Sequence, residues 1–483
     1  MDEQIKFLNK WSFSPSVIKI FSMILMALLF LSQFVACDIG GFKIGIIDSG
    51  FPLFFFIICG YKGLSMRLVV LSSLIFCATM LLTSIYNISI GIAGIHSILL
   101  CARLFLIFLI MGAANWVNHN NPFEPKSYIY SVFWGLVIAC VIGIVTFYLN
   151  ITIAKDQQIM WFNDGSYRIR AGGSIGNTGA FGYQIFLLYS ISLLLLLFSK
   201  KNKWSYLFLF PMTLSVFSLV ISSSRGSLLG ILVFTIILLT LVNRKDKKTI
   251  IVMLFLSFLS ASFCSFCFLD TKTLEYTAQR VGILNESDDS VLQEGVGDYN
   301  KNDGVAKNDM EDNYIDSFHA EKSDAISSFN RTDYFNNEKN NGNKFGVENR
   351  VEKNSIASNF SSGRLPAWKK YLLAMKEHVV WGVGYKNSLS YYGVLIDNSF
   401  ISVFVEGGAG VFLLFLLIWI GAIYHAVKIY NNEKSKGAFL IAFIMSTMFQ
   451  GVFLDIYSQW ISFPFFIFLI FVISSDNWEA KKI

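Results

Sequence analysis

Long apolar runs broken by short polar ones dominate the chain. A bilayer core takes about 20 apolar residues per helix, and twelve runs approach that length: roughly 15–36, 45–60, 66–86, 93–115, 127–150, 179–199, 204–222, 226–243, 249–269, 408–428, 438–454 and 457–475. The second is the weakest, because Asp48, Gly50 and Pro52 interrupt it. The pattern predicts an all-α, polytopic transmembrane helical bundle of about 12 spans. One long segment, 270–395, escapes the pattern and predicts a large external loop. Its middle, about 285–359, holds 14 asparagines and few large apolar residues, too little apolar surface to offset chain entropy, so disorder or loose order is expected there. Its end differs: Leu365, Trp368, Leu372, Met375 and Val379 recur at helical spacing and predict an amphipathic helix over 364–378, followed by a Gly-rich turn. The organisation expected is nine spans in 1–269, the loop in 270–395 and three spans in 396–483. No tandem repeat is evident.

Composition agrees: 54% of the 483 residues are hydrophobic and 15% charged, too apolar for an ordinary soluble protein. The first apolar run is long enough to be an anchor rather than the core of a cleaved leader. An even number of spans puts both termini on one side, and lysine and arginine choose that side. The termini and the segments YKGLSMR, NNPFEPK, SKKNK, NRKDKK and KIYNNEKSKG are rich in both, whereas the opposite short loops hold only Lys43, Lys155, Arg168, Arg170 and Arg225. Both termini are therefore expected in the cytoplasm, with the three arginines facing out. Six of seven cysteines lie inside apolar runs and Cys37 ends one, a pattern of buried structural thiols.

The outward arginines carry the candidate chemistry. Arg225 follows Ser222, Ser223 and Ser224 and opens a predicted helix, so guanidinium and helix N-terminus both favour an anion. Arg168 and Arg170 lie in RIRAGGSIGNTGAFG, and Arg364 lies in SSGR at the start of the loop helix. Converging arginines suit a diphosphate, whose oxygens they bind in pairs; taken singly, each could equally be an arginine snorkelling to the interface. The stretch IDNSFISVFVEGGAGVFLLFL, 396–416, begins polar and becomes a plain span. A short helix entering from outside would leave Asp397 and Asn398 at the water side and Glu406 deeper. Glu406 is either a general base for a sugar hydroxyl or a structural partner for an arginine. Arg103 is a second intramembrane charge, structural or functional. His96 reads as packing, and His378 as a surface residue that could still reach the site. No Walker A, GxSxG or HExxH pattern is present, and no metal-ligand spacing.

These features resemble the bacterial O-antigen polymerase/ligase superfamily of integral membrane glycosyltransferases. The resemblance runs over about 165–425: Arg170 with Gly173 and Asn177, then Ser224-Arg225-Gly226, then Arg364 and Trp368 leading into Gly382 and Gly384, then Asp397-Asn398 and Gly408. Two positions depart from the family pattern. Asn177-Thr178-Gly179 stands where Asn-Pro-Asn is usual, and Asp397 stands where ligases have histidine, which favours a polymerase.

The resemblance implies a metal-independent, cofactor-free transfer outside the bacterial cytoplasmic (inner) membrane. The donor is a glycan on undecaprenyl diphosphate, a hydroxyl of the acceptor repeat unit attacks the anomeric carbon, and the lipid diphosphate leaves. Arg225, Arg170 and Arg364, with Arg168 and Asn398, would hold diphosphate and sugar, and Glu406 or Asp397 would face the acceptor hydroxyl. Implied partners are the lipid-linked glycan, membrane lipid, a chain-length regulator and a flippase, with no nucleic acid. An O-antigen ligase and an O-oligosaccharyltransferase remain alternatives. A transporter of lipid-linked saccharide is more remote, because such carriers usually show internal pseudo-repeats.

Overall fold

The computed structural model describes residues 68–95, 97–101, 125–153, 158–162, 166–175, 178–198, 207–281, 375–388 and 398–453, two strands within 36–45, and isolated positions elsewhere. The expected disordered stretch 285–359 lies outside them, as does nearly all of the expected loop helix 364–378. Spans 15–36, 45–60, 93–115 and 457–475 fall wholly or mostly outside too.

Within the described residues the fold is helical: α1 (Leu68–Ser89), α2 (Pro125–Leu149), α3 (Thr178–Phe198), α4 (Leu209–Ser222), α5 (Arg225–Leu241), α6 (Arg244–Phe268), α7 (Thr271–Val281), α8 (Ser399–Asn432) and α9 (Lys434–Phe453). Five helices are long and apolar enough to cross a membrane, namely most of α2 together with α3, α6, α8 and α9, while α4, α5 and the described part of α1 are shorter apolar helices. Two antiparallel hairpins complete the set: β1 (Ala36–Ile39) with β2 (Phe42–Gly45), and β3 (Ile159–Trp161) with β4 (Tyr167–Ile169).

Helix α3 forms the centre. All but three of its 21 residues are buried, enclosed by α2, α4, α5 and α9. Aromatic rings fill the joint between α3, α5 and α9: Phe186 stacks on Phe443 at 5.8 Å and meets Phe234 edge-on at 5.9 Å. Helix α6 is as apolar but touches only α4 closely, and leaves Phe255, Phe263 and Phe266 outward. That corrects the expectation of uniformly buried thiols. Cys77, Cys101 and Cys140 are buried, but Cys264 is half-buried and Cys267 exposed, on the face α6 leaves free for lipid.

Helix α8 differs most from the expected plain span. Its 34 residues would extend about 51 Å as a straight helix, but it breaks at Gly408, whose φ of 75° and ψ of −176° are non-helical. Two ring pairs define the result. Phe404 meets Phe412 at 5.5 Å, and Phe400 meets Phe415 at 5.7 Å. In a straight helix residues 400 and 415 would be about 22 Å apart along the axis, so the arm from Ser399 to the break folds back along the long arm. Phe400 thus lies level with Phe415, about 10 Å from the turn, Asn398 lies two residues beyond Phe400, and Glu406 lies next to the turn. Asn398 is therefore farther from the reversal than Glu406, because a glycine at positive φ ends one helix and starts another in the opposite direction.

Candidate active site

At the end of the bundle where α6 gives way to α7, α4 ends and α5 begins. Ser223 turns left-handed (φ 49°, ψ 39°), Ser224 is extended, and Arg225 is the first residue of α5. The turn is close to the backbone of α3: a side chain on Gly182 would meet the Ser227 and Ser224 hydroxyls at 2.2 and 2.3 Å, and those two hydroxyls are 2.9 Å apart. The half-buried Arg225 therefore projects from a fixed turn.

Arg170 fixes that turn from one side. Its side chain is 3% exposed. Its Nε donates to the Ser222 carbonyl at 3.1 Å, and its Nη2 donates to the carbonyls of Ser222 at 2.6 Å and Ser223 at 3.2 Å. Its Nη1 donates to Gln158 Oε1, which also accepts the Thr178 hydroxyl at 2.8 Å. A guanidinium on the last carbonyls of α4 meets a helix C-terminus with favourable charge. From the other side, the Thr277 hydroxyl of α7 lies 3.1 Å from the Ser223 hydroxyl and donates to the Val220 carbonyl at 3.2 Å.

The β3–β4 hairpin delivers Arg170. The Asn150 side-chain oxygen, at the end of α2, accepts the Ile169 N–H at 2.8 Å. Asp164 accepts the Ser166 N–H and hydroxyl and pairs with Lys272. Arg168 lies 3.0 Å from Asp270 and stacks over the Phe147 ring at 5.1 Å. Lys272 and the Ser166 hydroxyl hold the Asp164 carboxyl well below the usual carboxylate range. Burial raises Asp270, but bonds from Thr273 and the charges of Arg168 and Lys272 more than offset it, and the net shift is downward. Arg168 is thus committed to an ion pair that latches the hairpin to α7.

The second half of the site is the turn of α8. Ahead of it the chain runs from a short 3-10 helix (Met375–Glu377) through Gly382-Val383-Gly384 to Ser388. Val383 N–H donates to the Val405 carbonyl and Gly384 N–H to the Glu406 carbonyl, each at 2.9 Å, and Ala409 N–H donates to the Val379 carbonyl at 2.7 Å. The backbone groups freed by the break are satisfied by this loop. Approach is so close that a side chain on Gly382 would meet the Glu406 carbonyl oxygen at 2.4 Å, and one on Gly408 the Val380 carbonyl oxygen at 2.2 Å. Glu406 is 2% exposed and accepts the Ser388 hydroxyl at 2.8 Å. Asn87 of α1 donates to the Trp381 carbonyl at 3.2 Å. His378, half-buried, lies 2.9 Å from the Tyr391 hydroxyl, so it is a paired residue rather than a plain surface histidine.

At the foot of the short arm, Asn398 caps its own helix, accepting from Phe400 N–H at 2.9 Å and Ile401 N–H at 3.0 Å, and its amide donates to the Val452 carbonyl at 3.0 Å. Next to it, Gly451 of α9 faces Ser399, and Gln450 lies against Gly230 of α5. Arg225, Arg170, Arg168, Asn398 and Glu406 therefore belong to one continuous set of packed elements. Arg364, Asp397, Asn177, Arg103 and His96 lie outside the described residues. Gln158, Thr277 and Ser388 had no sequence signal beyond proximity to motifs, since their partners are backbone carbonyls or residues distant in the chain, and Gln450 had none because its place is set by packing against Gly230. Among the described residues no group of three or more His, Cys, Asp or Glu side chains comes together to hold a metal.

Residues 210–416 match the family described as O-antigen ligase. The match takes in nearly all of α4, the Arg225 turn, α5 to α7, the long loop and the folded-back part of α8. The hairpin that carries Arg168 and Arg170 lies before it, and Gln450 after it. No curated protein matches the sequence. The match over residues 210–416 supports the O-antigen polymerase/ligase superfamily for this chain without separating polymerase from ligase.

Proposed function

We propose that the protein is a membrane glycosyltransferase that polymerises surface polysaccharide, joining undecaprenyl-diphosphate-linked repeat units at the outer face of the bacterial cytoplasmic membrane. The observation that carries this reading is Arg225, the first residue of α5, held on a braced turn within the residues matched to the O-antigen ligase family. In the reaction the acceptor hydroxyl oxygen bonds to the donor's anomeric carbon while the bond from that carbon to the diphosphate oxygen breaks. Charge grows on the diphosphate as it leaves, and a preorganised guanidinium in a poorly hydrated site stabilises it. We assign that role to Arg225, with Arg364 as a second phosphate ligand. The hydroxyl proton passes to a carboxylate. Glu406 already receives the Ser388 hydroxyl at its Oε1, so Asp397, beside the Asn398 cap, is the base we assign. Aspartate at that position, where ligases have histidine, favours polymerase over ligase.

The test is a gel of surface polysaccharide from a deletion strain complemented with wild type or Arg225→Ala. Loss of the long ladder with one repeat unit still on its anchor supports a polymerase. Loss of every repeat, with lipid-linked polymer accumulating, indicates a ligase. An unchanged ladder overturns the proposal for that glycan.

A further inference from the structure

We infer that Arg170 is a positioning residue that acts on the reaction through Arg225, and that Gln158 and Thr277 serve the same turn. The inference rests on the proposed reaction at Arg225 and goes beyond it, because a buried arginine near a phosphate site would ordinarily be assigned to the phosphate. Three observations favour the turn. First, Nε and Nη2 aim at the Ser222 and Ser223 carbonyls, within three residues of Arg225. Second, Nη1 is held by Gln158, whose carbonyl accepts the Arg170 N–H at 3.0 Å, so side chain and backbone are fixed to the same residue. Third, the next residue continues the strap: Ala171 N–H donates to the Ile221 carbonyl at 3.3 Å. On the opposite side Thr277 meets Ser223 and Val220. The left-handed Ser223 is thus gripped between the hairpin and α7, and its conformation sets where α5 starts and where Arg225 points.

This grip needs a planar fork. Lysine keeps the charge but presents one ammonium on a flexible stem and cannot span two carbonyls and a side-chain amide in the same geometry. Full-length Arg170→Lys should therefore show faster amide hydrogen exchange over 222–228, the first turn of α5, with the rest of the bundle unchanged. In proteoliposomes with lipid-diphosphate-linked repeat unit, kcat should fall by up to about 100-fold from a misplacement of ångström size, with KM little changed. Arg170→Lys combined with Arg225→Ala should be no slower than Arg225→Ala alone, because the first acts through the second. Gln158→Ala, which leaves the guanidinium in place, should shift exchange and kcat the same way but less.

Unchanged exchange at 222–228, a raised KM and multiplicative losses in the double variant would assign Arg170 to the diphosphate and overturn the inference. Faster exchange throughout the bundle would mark a general folding role and overturn it too. The exchange measurement needs no turnover: if wild-type protein forms no polymer, the proposed reaction fails while exchange at the turn still decides whether Arg170 holds it.

Discussion

Phe400 and Phe415 stand with ring centroids 5.7 Å apart, although fifteen residues separate them within α8. Their contact exists because the chain reverses at Gly408, and it ties the short arm that begins at Asn398 to the long arm that descends through the bundle. The reversal puts Asn398 beside α9 and Glu406 beside the Gly382-Val383-Gly384 loop.

Gly408→Ala should be among the most damaging single-methyl changes in the chain. The left-handed φ alone costs about 1–2 kcal/mol for a residue with a side chain, and the added carbon would meet the Val380 oxygen at 2.2 Å, a backbone atom with no rotamer to relieve it. Thermal unfolding in detergent should show a lower midpoint, and hydrogen exchange should quicken at Val383, Gly384 and Ala409, the clasp donors. A midpoint equal to wild type would mean the reversal is not fixed by this glycine.

Glu406→Gln and Glu406→Ala should separate. Glutamine keeps an oxygen that can accept the Ser388 hydroxyl, whereas alanine strands that buried hydroxyl at a cost of about 1–3 kcal/mol. The expected order of stability is wild type, then glutamine, then alanine, with the glutamine variant still making polymer. If glutamine abolishes polymer at an unchanged melting midpoint, the charge of Glu406 takes part in the chemistry and the assignment to Asp397 fails.

The hairpin latch should give way only in acid. Asp164 and Asp270 both have folded pKa values below their ordinary value. Their contribution is therefore fully present above the unfolded value of about 4 and is lost as pH falls below that, through the depressed folded values. Exchange protection of Ile169 and Arg170, corrected for intrinsic rate, should stay flat from pH 8 to about 5 and fall below about pH 4. Asp270→Asn should weaken the latch above about pH 4, converge with wild type in acid and so flatten the acid step. Loosening near pH 6 would point to another group.

Gln450 is fully buried, and neither of its amide atoms has a hydrogen-bond partner among the described residues. Leucine at that position has nearly the same volume without the polar atoms, so Gln450→Leu should raise the melting midpoint, by a gain of about 1–3 kcal/mol from removing the unmet desolvation. Gly230→Ala, which crowds the amide, should lower it by about 1–3 kcal/mol, and combination with Gln450→Ala should restore much of that loss. A glutamine that is destabilising yet required for polymer formation would mark a substrate contact.

Much of the bundle was legible in the sequence. The runs 66–86, 127–150, 179–199, 204–222, 226–243, 249–269 and 438–454 each correspond to a helix with boundaries shifted by a few residues, because a span must satisfy its backbone internally and present apolar side chains along its whole length. That Arg225 opens a helix was legible for a related reason: Ser222, Ser223 and Ser224 interrupt two apolar runs just before it. Rank within the bundle was not legible. Helices α3 and α6 read alike, yet one is enclosed and the other leaves a face outward, since lipid and protein interior are equally apolar and hydropathy cannot tell them apart.

The direction of the Asn398 arm and the partners of Arg170 were settled by tertiary structure alone. Gly408 sits in a Gly-rich stretch in which neighbouring glycines look equivalent, and only the approach of the Val380 and Gly382 backbone selects it as the point of reversal. The guanidinium of Arg170 binds main-chain carbonyls at Ser222 and Ser223. Every residue has such a carbonyl, so no pattern of side chains along the chain could have named those two. The sequence by itself determined which stretches form apolar helices and that an arginine opens one of them, because hydration energy is a local property of each residue. What that cation leans on was decided by folding, because it depends on which backbone groups the helices leave without a partner.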